Sequence, residues 1–450
     1  MGRTLESSQL GKEQPLKNSD TGSIKDGHMA DFPEKGAERA ILVGAGAQYA
    51  HGDDPLQPDP LEELRLLAET AGVMIAGIVI QARSHIDPTY YIGKGKVQEL
   101  KTAIEANKAN LVIFDNDLSP AQASNLEEDL RVKVIDRSGL ILDIFAIRAK
   151  TREAKTQVEL AQLKYLLPRL TRRWTHLSRQ AGGGVFLRGP GETQLEIDRR
   201  RVRERIAHLT EILKTIERQR NVSRKSRRGA FKFALVGYTN TGKSTLLNTL
   251  CGSDAPVEDK LFKTLDSTTR AVRIPHTPEM LVSDTVGFIR NLPHHLVASF
   301  KSTLSEVRDA DALLHVIDIS NPDWENQEKT VLQVLHELGA SGIPAVTVFN
   351  KIDRVENPGA VRSIVARYPG STAVSALTGE GMDQLRNRLC EQVLSGLNTF
   401  DMSFNGDDSL LPIIYRNATI LRTGNDDGKI HLTFTISKAM AKRLNLPEKI

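Results

Sequence analysis

Gly237-Tyr-Thr-Asn-Thr-Gly-Lys243-Ser244 follows the apolar run Phe231-Lys-Phe-Ala-Leu-Val236 and precedes Thr245-Leu-Leu-Asn-Thr-Leu250. That order predicts strand, glycine loop and helix, the context a GxxxxGK[ST] loop requires. Backbone N–H groups of such a loop point at phosphate oxygens, and the positive end of the following helix adds to the field. Gly237, Tyr238, Thr239, Asn240, Thr241, Gly242, Lys243, Ser244 and Thr245 are the expected phosphate-binding stretch. Lys243 would reach the β- and γ-phosphates, and Ser244 would hold Mg²⁺.

Further features follow in order. Thr268-Thr269 lies in a polar stretch where a mobile loop could close over a γ-phosphate, with Thr269 as a catalytic and Mg²⁺ residue. Asp284-Thr-Val-Gly287 ends the apolar strand Met280–Asp284; Asp284 can hold Mg²⁺ through water, and the Gly287 N–H can sense the γ-phosphate. Asn350-Lys351-Ile-Asp353 ends the strand Ala345–Phe349. A carboxylate there accepts two hydrogen bonds from the guanine edge, worth roughly 1–3 kcal/mol of discrimination. Ser375-Ala376-Leu377, after a further short strand, would close the base pocket. Each motif alone reads equally well as a strand-end turn. Together they imply a domain that binds GTP or GDP.

The chain resembles the translation-factor-related P-loop GTPases and, within them, the HflX family. The resemblance is carried by Gly237–Ser244, Leu261-Phe-Lys-Thr-Leu-Asp-Ser-Thr-Thr-Arg270, Asp284-Thr-Val-Gly-Phe-Ile289 and, upstream, by Tyr91-Ile-Gly-Lys-Gly-Lys96, Phe114–Pro120 and Gln157–Leu163. Its most specific block is Gly182-Gly-Gly-Val-Phe-Leu-Arg-Gly-Pro-Gly-Glu-Thr-Gln-Leu-Glu196. The resemblance implies a factor that binds the large ribosomal subunit and splits or rescues stalled ribosomes. It also implies that the glycine-rich loop touches ribosomal RNA near the peptidyl-transferase centre, with Arg188, Gly189, Gly191, Arg199 and Arg200 as the expected contacts.

At 450 residues the chain should hold about three domains. The expected fold class is α/β: a P-loop GTPase domain (229–396), an N-terminal α/β domain (37–139), a basic antiparallel helical hairpin (140–228) and a small C-terminal α+β domain (397–450). Residues 1–36 read as a disordered tail. No apolar run is long enough to span a bilayer and no signal-peptide pattern opens the chain, so a cytoplasmic monomer is expected. Cys251 and Cys390 offer neither a disulfide framework nor metal spacing.

Net charge is only +4, but basic residues crowd between Arg148 and Arg228. Acidic neighbours are too few there to neutralise the series, so a phosphate-rich partner outweighs a merely solvated surface. Leu140, Ile144, Ile147, Thr151, Ala154, Val158, Ala161 and Tyr165 alternate at steps of four and three; Leu195, Val202, Ile206, Leu209, Leu213 and Ile216 nearly repeat this. Two such helices with a reversal predict the hairpin. Thr193 and Glu196 can box the start of the second helix, which would run about 30 residues, roughly 45 Å. The intervening loop is longer than a reversal needs, and Phe186 beside Arg188 offers a stacking face.

In the N-terminal domain, Val73–Ile80, Asn110–Asp115 and Val132–Asp136 read as strands, alternating with helices in a pattern that favours parallel pairing. Ile41–Gly44 is a further candidate strand, and Asp115, Asp117, Asp136 and Arg137 read as turn and capping residues. Beyond the GTPase domain, Leu411-Pro-Ile-Ile and Lys429–Thr435 suggest strands, joined through Thr423–Gly428 and followed by a helix over 437–444. His294, His295, Trp174 and Trp324 are read as helix-start or packing residues.

Phe288 stands where many GTPases carry the glutamine that orients the attacking water, so hydrolysis by the isolated chain should be slow. Asn240 is suggestive because, in related potassium-activated GTPases, an asparagine at this loop position helps hold K⁺ against the phosphates. Two other classes stay open: a signalling switch docking a protein through its hairpin, and an accessory GTPase of RNA modification. The second needs a further reactive site, which the sequence does not offer.

Overall fold

The computed structural model describes residues 38–49, 60–171, 194–225, 230–252, 261–262, 268–274, 280–290, 305–406, 408–426, 429–437, 441 and 444–446. The expected tail over 1–36, the glycine-rich loop with Arg188, Gly189 and Gly191, the Thr193 cap, Trp174, His294 and His295 lie outside them, as does most of the expected last helix.

Strands β1 (Arg39–Ala45), β2 (Met74–Gln81), β3 (Leu111–Phe114) and β4 (Lys133–Asp136) form an all-parallel sheet in the order β2-β1-β3-β4. Ile41–Gly44, a further candidate strand in the sequence, belongs to β1, one of the two inner strands, and β1 is buried on both faces as a covered parallel strand should be. Helices α1 (Glu62–Thr70), α2 (Lys94–Asn107), α3 (Pro120–Leu130) and α4 (Arg137–Arg148) complete the layers. Ser119 and Gln122 form a capping box on α3, with Pro120 in its first turn.

The expected helix through Leu140–Tyr165 is two helices. Helix α4 stops at Arg148, and α5 (Arg152–Leu166) restarts under a cap in which Thr151 Oγ1 accepts the Ala154 N–H at 3.1 Å. A continuous heptad spacing concealed the break because α4 and α5 bury the same kind of stripe. Leu140, Ile141, Ile144 and Phe145 of α4 pack with Leu42 and Leu64 of the N-terminal domain, whereas α5 also packs along α6 (Gln194–Lys225), a helix of 32 residues. Arg205 of α6 forks onto Glu159 at 2.7 and 3.0 Å.

The second sheet runs β10-β9-β8-β5-β7-β6, built from β5 (Phe231–Val236), β6 (Thr268–Val272), β7 (Met280–Asp284), β8 (Ala312–Asp318), β9 (Ala345–Asn350) and β10 (Thr372–Ala373). All its pairs are parallel except β6 with β7. Helices α7 (Lys243–Cys251), α8 (Ser305–Arg308), α9 (Trp324–Glu337), α10 (Pro358–Arg367) and α11 (Met382–Gly396) belong to this domain. Trp324 is buried against Phe349 and Tyr368, as its packing assignment requires. Parallel strands bring the loops after β5, β7, β9 and β10 to one edge, where ligands of open α/β sheets bind. The two sheets share core: Phe145 meets Phe262 edge-on at 4.7 Å, and Phe288 and Tyr238 join the cluster that holds α1 and α4.

The C-terminal sheet is antiparallel, β11-β13-β12, from β11 (Leu397–Asn405), β12 (Thr419–Asp426) and β13 (Lys429–Ser437). Leu411-Pro-Ile-Ile, expected as a strand, opens α12 (Leu411–Asn417) instead. A four-residue apolar run does not distinguish the two, and proline suits a first helical turn. Thr423–Asp426, expected as connector, extends β12 against β13. Among the described residues, no helix is long and apolar enough to cross a membrane.

Candidate nucleotide site

The loop after β5 turns at Gly237 and enters α7 through Gly242, whose φ of 87° is open mainly to glycine. Lys243 is buried, and its Nζ donates to the carbonyls of Gly237 at 3.1 Å and Tyr238 at 2.5 Å. Burial lowers its pKa to about 8, although the nearby Asp284 charge opposes the shift. Thr241 Oγ1 also donates to the Tyr238 carbonyl, at 3.1 Å. The Thr239 hydroxyl is buried with no hydrogen-bond partner among the described residues. Asn240 is exposed, with φ of 60°.

Ser244 Oγ donates to Asp284 Oδ2 at 2.6 Å, bringing the start of α7 to the end of β7. A hydroxyl and a carboxylate converging in this way are hard oxygen donors, the set that suits Mg²⁺ when phosphates and water complete its shell. The Asp284–Gly287 turn lies directly on the loop. Thr239 N–H donates to the Phe288 carbonyl at 2.7 Å, and Phe288 N–H to the Gly237 carbonyl at 3.1 Å. A Cβ on Gly287 would meet Thr239 Cα at 2.8 Å and Lys243 Nζ at 3.0 Å, so the turn approaches too closely for a side chain. The ring of Phe288 points into the shared core, 1% exposed. It packs; it does not reach into the site.

Thr269 falls elsewhere than expected. It lies in β6, not in a loop, and its hydroxyl shares a 2.8 Å hydrogen bond with Ser283. Thr269 is paired with Ser283 and Thr268 with Asp284. Opposed residues of a ladder point to one face, so Thr268 shares the face of Asp284 and Thr269 does not. Polar composition suggested a loop, but two β-branched residues before Arg-Ala-Val also start a strand.

The base-side motifs assemble around Asn350, which is 2% exposed. Its Nδ2 donates to the Thr241 carbonyl at 2.8 Å and its Oδ1 accepts the Ala376 N–H at 3.0 Å, tying three loops together. Ser375 Oγ donates to Asp353 Oδ1 at 2.5 Å and accepts the Thr378 N–H at 3.1 Å. Asp353 and Leu377 are exposed. Lys351 is held by Asp318 at 2.7 Å. Thus, among the described residues, every loop residue predicted for the nucleotide site sits at one sheet edge except Thr269.

The basic series divides into two groups. Arg199 and Arg200 lie on α6, with Arg200 3.9 Å from Glu204. Arg205 and Arg169 are internal fasteners. Arg169 stacks on the Tyr165 ring at 3.5 Å and donates to Asp136 at 2.7 Å and to the Leu118 carbonyl at 3.0 Å. Asp136 caps α4 as expected, accepting the Gly139 N–H at 2.9 Å, and Asp117 accepts from Ser138. Asp115 and Arg137 do more than end turns. Buried Arg137 pairs with Asp115 at 2.5 Å and with Glu63. Glu63 in turn accepts the Tyr238 hydroxyl. Isolated charges in a turn do not reveal such partners, which lie up to 175 residues apart.

Four family models tile the chain: GTP-binding GTPase N-terminal over 59–146, GTP-binding GTPase Middle Region over 148–227, 50S ribosome-binding GTPase over 232–351, and HflX C-terminal domain over 361–447. The GTPase HflX of Caldanaerobacter subterraneus subsp. tengcongensis is 52% identical over 321 residues, 71% of this chain and 73% of that protein. The GTPase HflX of Alkalihalophilus pseudofirmus is 44% identical over 402 residues, 89% and 93% of the two chains. That of Escherichia coli K12 is 47% identical over 363 residues, 80% and 83%. Among solved structures, a GTP-binding protein of Sulfolobus solfataricus in complex with GDP is 26% identical, with TM-score 0.41, over 80% of this chain and 99% of that one.

Proposed function

Because the chain belongs to the HflX family of GTPases, we propose that its GTP state docks on the large ribosomal subunit and splits or rescues stalled ribosomes, hydrolysis then releasing it. It binds and hydrolyses GTP. The observation that carries the ribosomal reading is the match of residues 232–351, which include the phosphate loop and Asp284–Gly287, to a 50S ribosome-binding GTPase. The 32-residue helix α6, fixed to α5 by Arg205, supports it by offering a stiff basic arm.

In this reading the amides of residues 238–245 cradle the phosphates, and the Lys243 ammonium exchanges its carbonyl partners for β- and γ-phosphate oxygens. Ser244 and Asp284 would hold Mg²⁺, which would supply charge neutralisation for the phosphates. Asp353 reads the guanine edge, oriented by Ser375, while Lys351, Ala376 and Leu377 border the base. The Gly287 N–H meets the γ-phosphate once the turn lets go of Thr239, so the turn reports whether GTP or GDP is bound. Arg188, Gly189, Gly191, Arg199 and Arg200 contact ribosomal RNA. With Phe288 packed inward, no side chain there orients water, and hydrolysis is slow until the ribosome completes the site. The Asn240 amide, exposed beside the phosphates, offers an oxygen to K⁺; equal turnover in sodium and potassium would remove that assignment.

The test is GTP turnover with and without purified large subunits. Stimulation of at least tenfold is expected, a change of about 1.4 kcal/mol in the barrier; unchanged turnover at saturating subunits would overturn the reading.

A further inference from the structure

The polar side chains of the phosphate loop have visible tasks, with one exception. Tyr238 donates its hydroxyl to Glu63, Thr241 to the Tyr238 carbonyl at 3.1 Å, and Ser244 to Asp284 at 2.6 Å. Lys243 is shared between two carbonyls, and Asn240 meets solvent. Thr239 is different: it is 6% exposed, and its hydroxyl has no hydrogen-bond partner among the described residues. Buried polar atoms are nearly always paired, so an orphan calls for an explanation. Packing does not supply one, because valine has the same branching and would fill the position without stranding a hydroxyl. Nor do the neighbouring carbonyls offer an acceptor. That of Gly237 already takes the Phe288 N–H and Lys243 Nζ, and that of Tyr238 takes Thr241 Oγ1 and Lys243 Nζ. Two hydrogen bonds fill the lone pairs of a carbonyl. The Phe288 carbonyl is engaged at 2.7 Å by the N–H of Thr239 itself.

We propose that the Thr239 hydroxyl donates to an oxygen of the γ-phosphate and so sets the preference of the site for GTP over GDP. The proposal rests on the GTPase reading of the site and adds a side-chain contact to its backbone cradle. Its place in the loop carries the assignment. Thr239 Cα and Cγ2 lie 2.8 and 2.9 Å from where a Cβ on Gly287 would stand, a point 3.0 Å from Lys243 Nζ. Thr239, Gly287 and the lysine ammonium therefore meet at one spot. In a phosphate loop the backbone amides hold the α- and β-phosphates, and the lysine spans β and γ. The spot shared with Gly287 is the γ end. Phosphate oxygens there are anionic and carry no proton, so they use a hydroxyl donor well. GDP has no oxygen at that end and leaves the hydroxyl as orphaned as it is in the empty loop. The cost of burying an unpaired hydroxyl is thus relieved by GTP and not by GDP.

The test is calorimetric binding of a non-hydrolysable GTP analogue and of GDP to the full chain, for wild type, Thr239→Val and Thr239→Ser. Valine keeps the β-branched shape and removes the donor. Loss of one hydrogen bond to a charged group should weaken the analogue roughly tenfold to a hundredfold. GDP affinity should stay within about twofold of wild type, because that nucleotide never meets the hydroxyl. Serine restores the donor and should recover most of the analogue affinity, a rescue that a purely packing role for the threonine would not give. Melting curves without nucleotide establish that each variant is folded, and Thr239→Ala takes the place of valine, with the same expectation, if the valine chain does not fold. Analogue affinity within twofold of wild type in the folded variant lacking the hydroxyl would overturn the proposal. So would an equal loss for analogue and GDP, which would mark a general disturbance of the loop. A wild-type chain that binds neither nucleotide would overturn the site itself, a result distinct from either.

Discussion

Asn350→Ala is the substitution whose effect the structure fixes most tightly. The side chain is buried and satisfies two backbone groups at once, the Thr241 carbonyl at 2.8 Å and the Ala376 N–H at 3.0 Å. Alanine leaves both without their partner, in a site whose surrounding strands are closed. An unsatisfied buried group costs about 1–3 kcal/mol, so the pair should cost on the order of 4 kcal/mol. In a domain of this size each kcal/mol moves the midpoint by about 2–4 °C, which places the expected drop on the order of 10 °C. The assay is thermal unfolding of the full chain, followed with and without saturating GDP. Because Asn350 joins the phosphate loop to the base loop, the stabilisation that GDP confers should shrink as well. A fall of less than about 2 °C, below the shift expected for a single kcal/mol, with an unchanged GDP response, would refute the reasoning.

Asp353→Asn removes the acceptor pair facing guanine, so GTP affinity should fall roughly fivefold to more than a hundredfold, the range of a bidentate base contact; xanthosine triphosphate, whose 2-oxo group can accept from the new amide, should gain, and competition binding measures both. Lys243 begins near pKa 8 through burial. Phosphate favours its charged form, so binding raises that pKa and takes up a proton above pH 8. GTP affinity should be flat below that point and weaken above it by up to about tenfold per pH unit, and calorimetry near pH 9 in buffers of different ionisation enthalpy should register the uptake. Gly191→Pro should impair binding to large subunits while leaving GDP affinity within twofold of wild type; normal subunit binding would count against the glycine-rich loop.

The nucleotide site was legible because its chemistry is local. A phosphate loop needs glycine, lysine and a hydroxyl within eight positions, and Gly237–Ser244 supplies them in order. Asn350 and Ser375 were equally visible as strand-end motifs, though their tie to Thr241 and Asp353 needed coordinates. The misses share a cause: they depend on partners far along the chain. The break between α4 and α5 leaves the heptad spacing intact, so only the Thr151 cap marks it. Thr269 looked like a loop residue until its strand was paired with Ser283. Arg169 and Arg205 fall within the basic series between Arg148 and Arg228, yet Asp136 and Glu159 pair with them across the fold. Glu63 attracted no notice at all, because nothing within its helix shows that Arg137 and Tyr238 converge on it.

The central claim is that GTP controls docking on the large ribosomal subunit. Co-sedimentation of the full chain with purified large subunits, in non-hydrolysable GTP analogue, in GDP and without nucleotide, tests it directly. The account predicts strong co-sedimentation with the analogue and little with GDP or no nucleotide, weakening with added salt by about 0.7–0.9 log units per phosphate contact per decade. Absence of binding in all three states would contradict it and shift the arm to the role of a protein-docking surface.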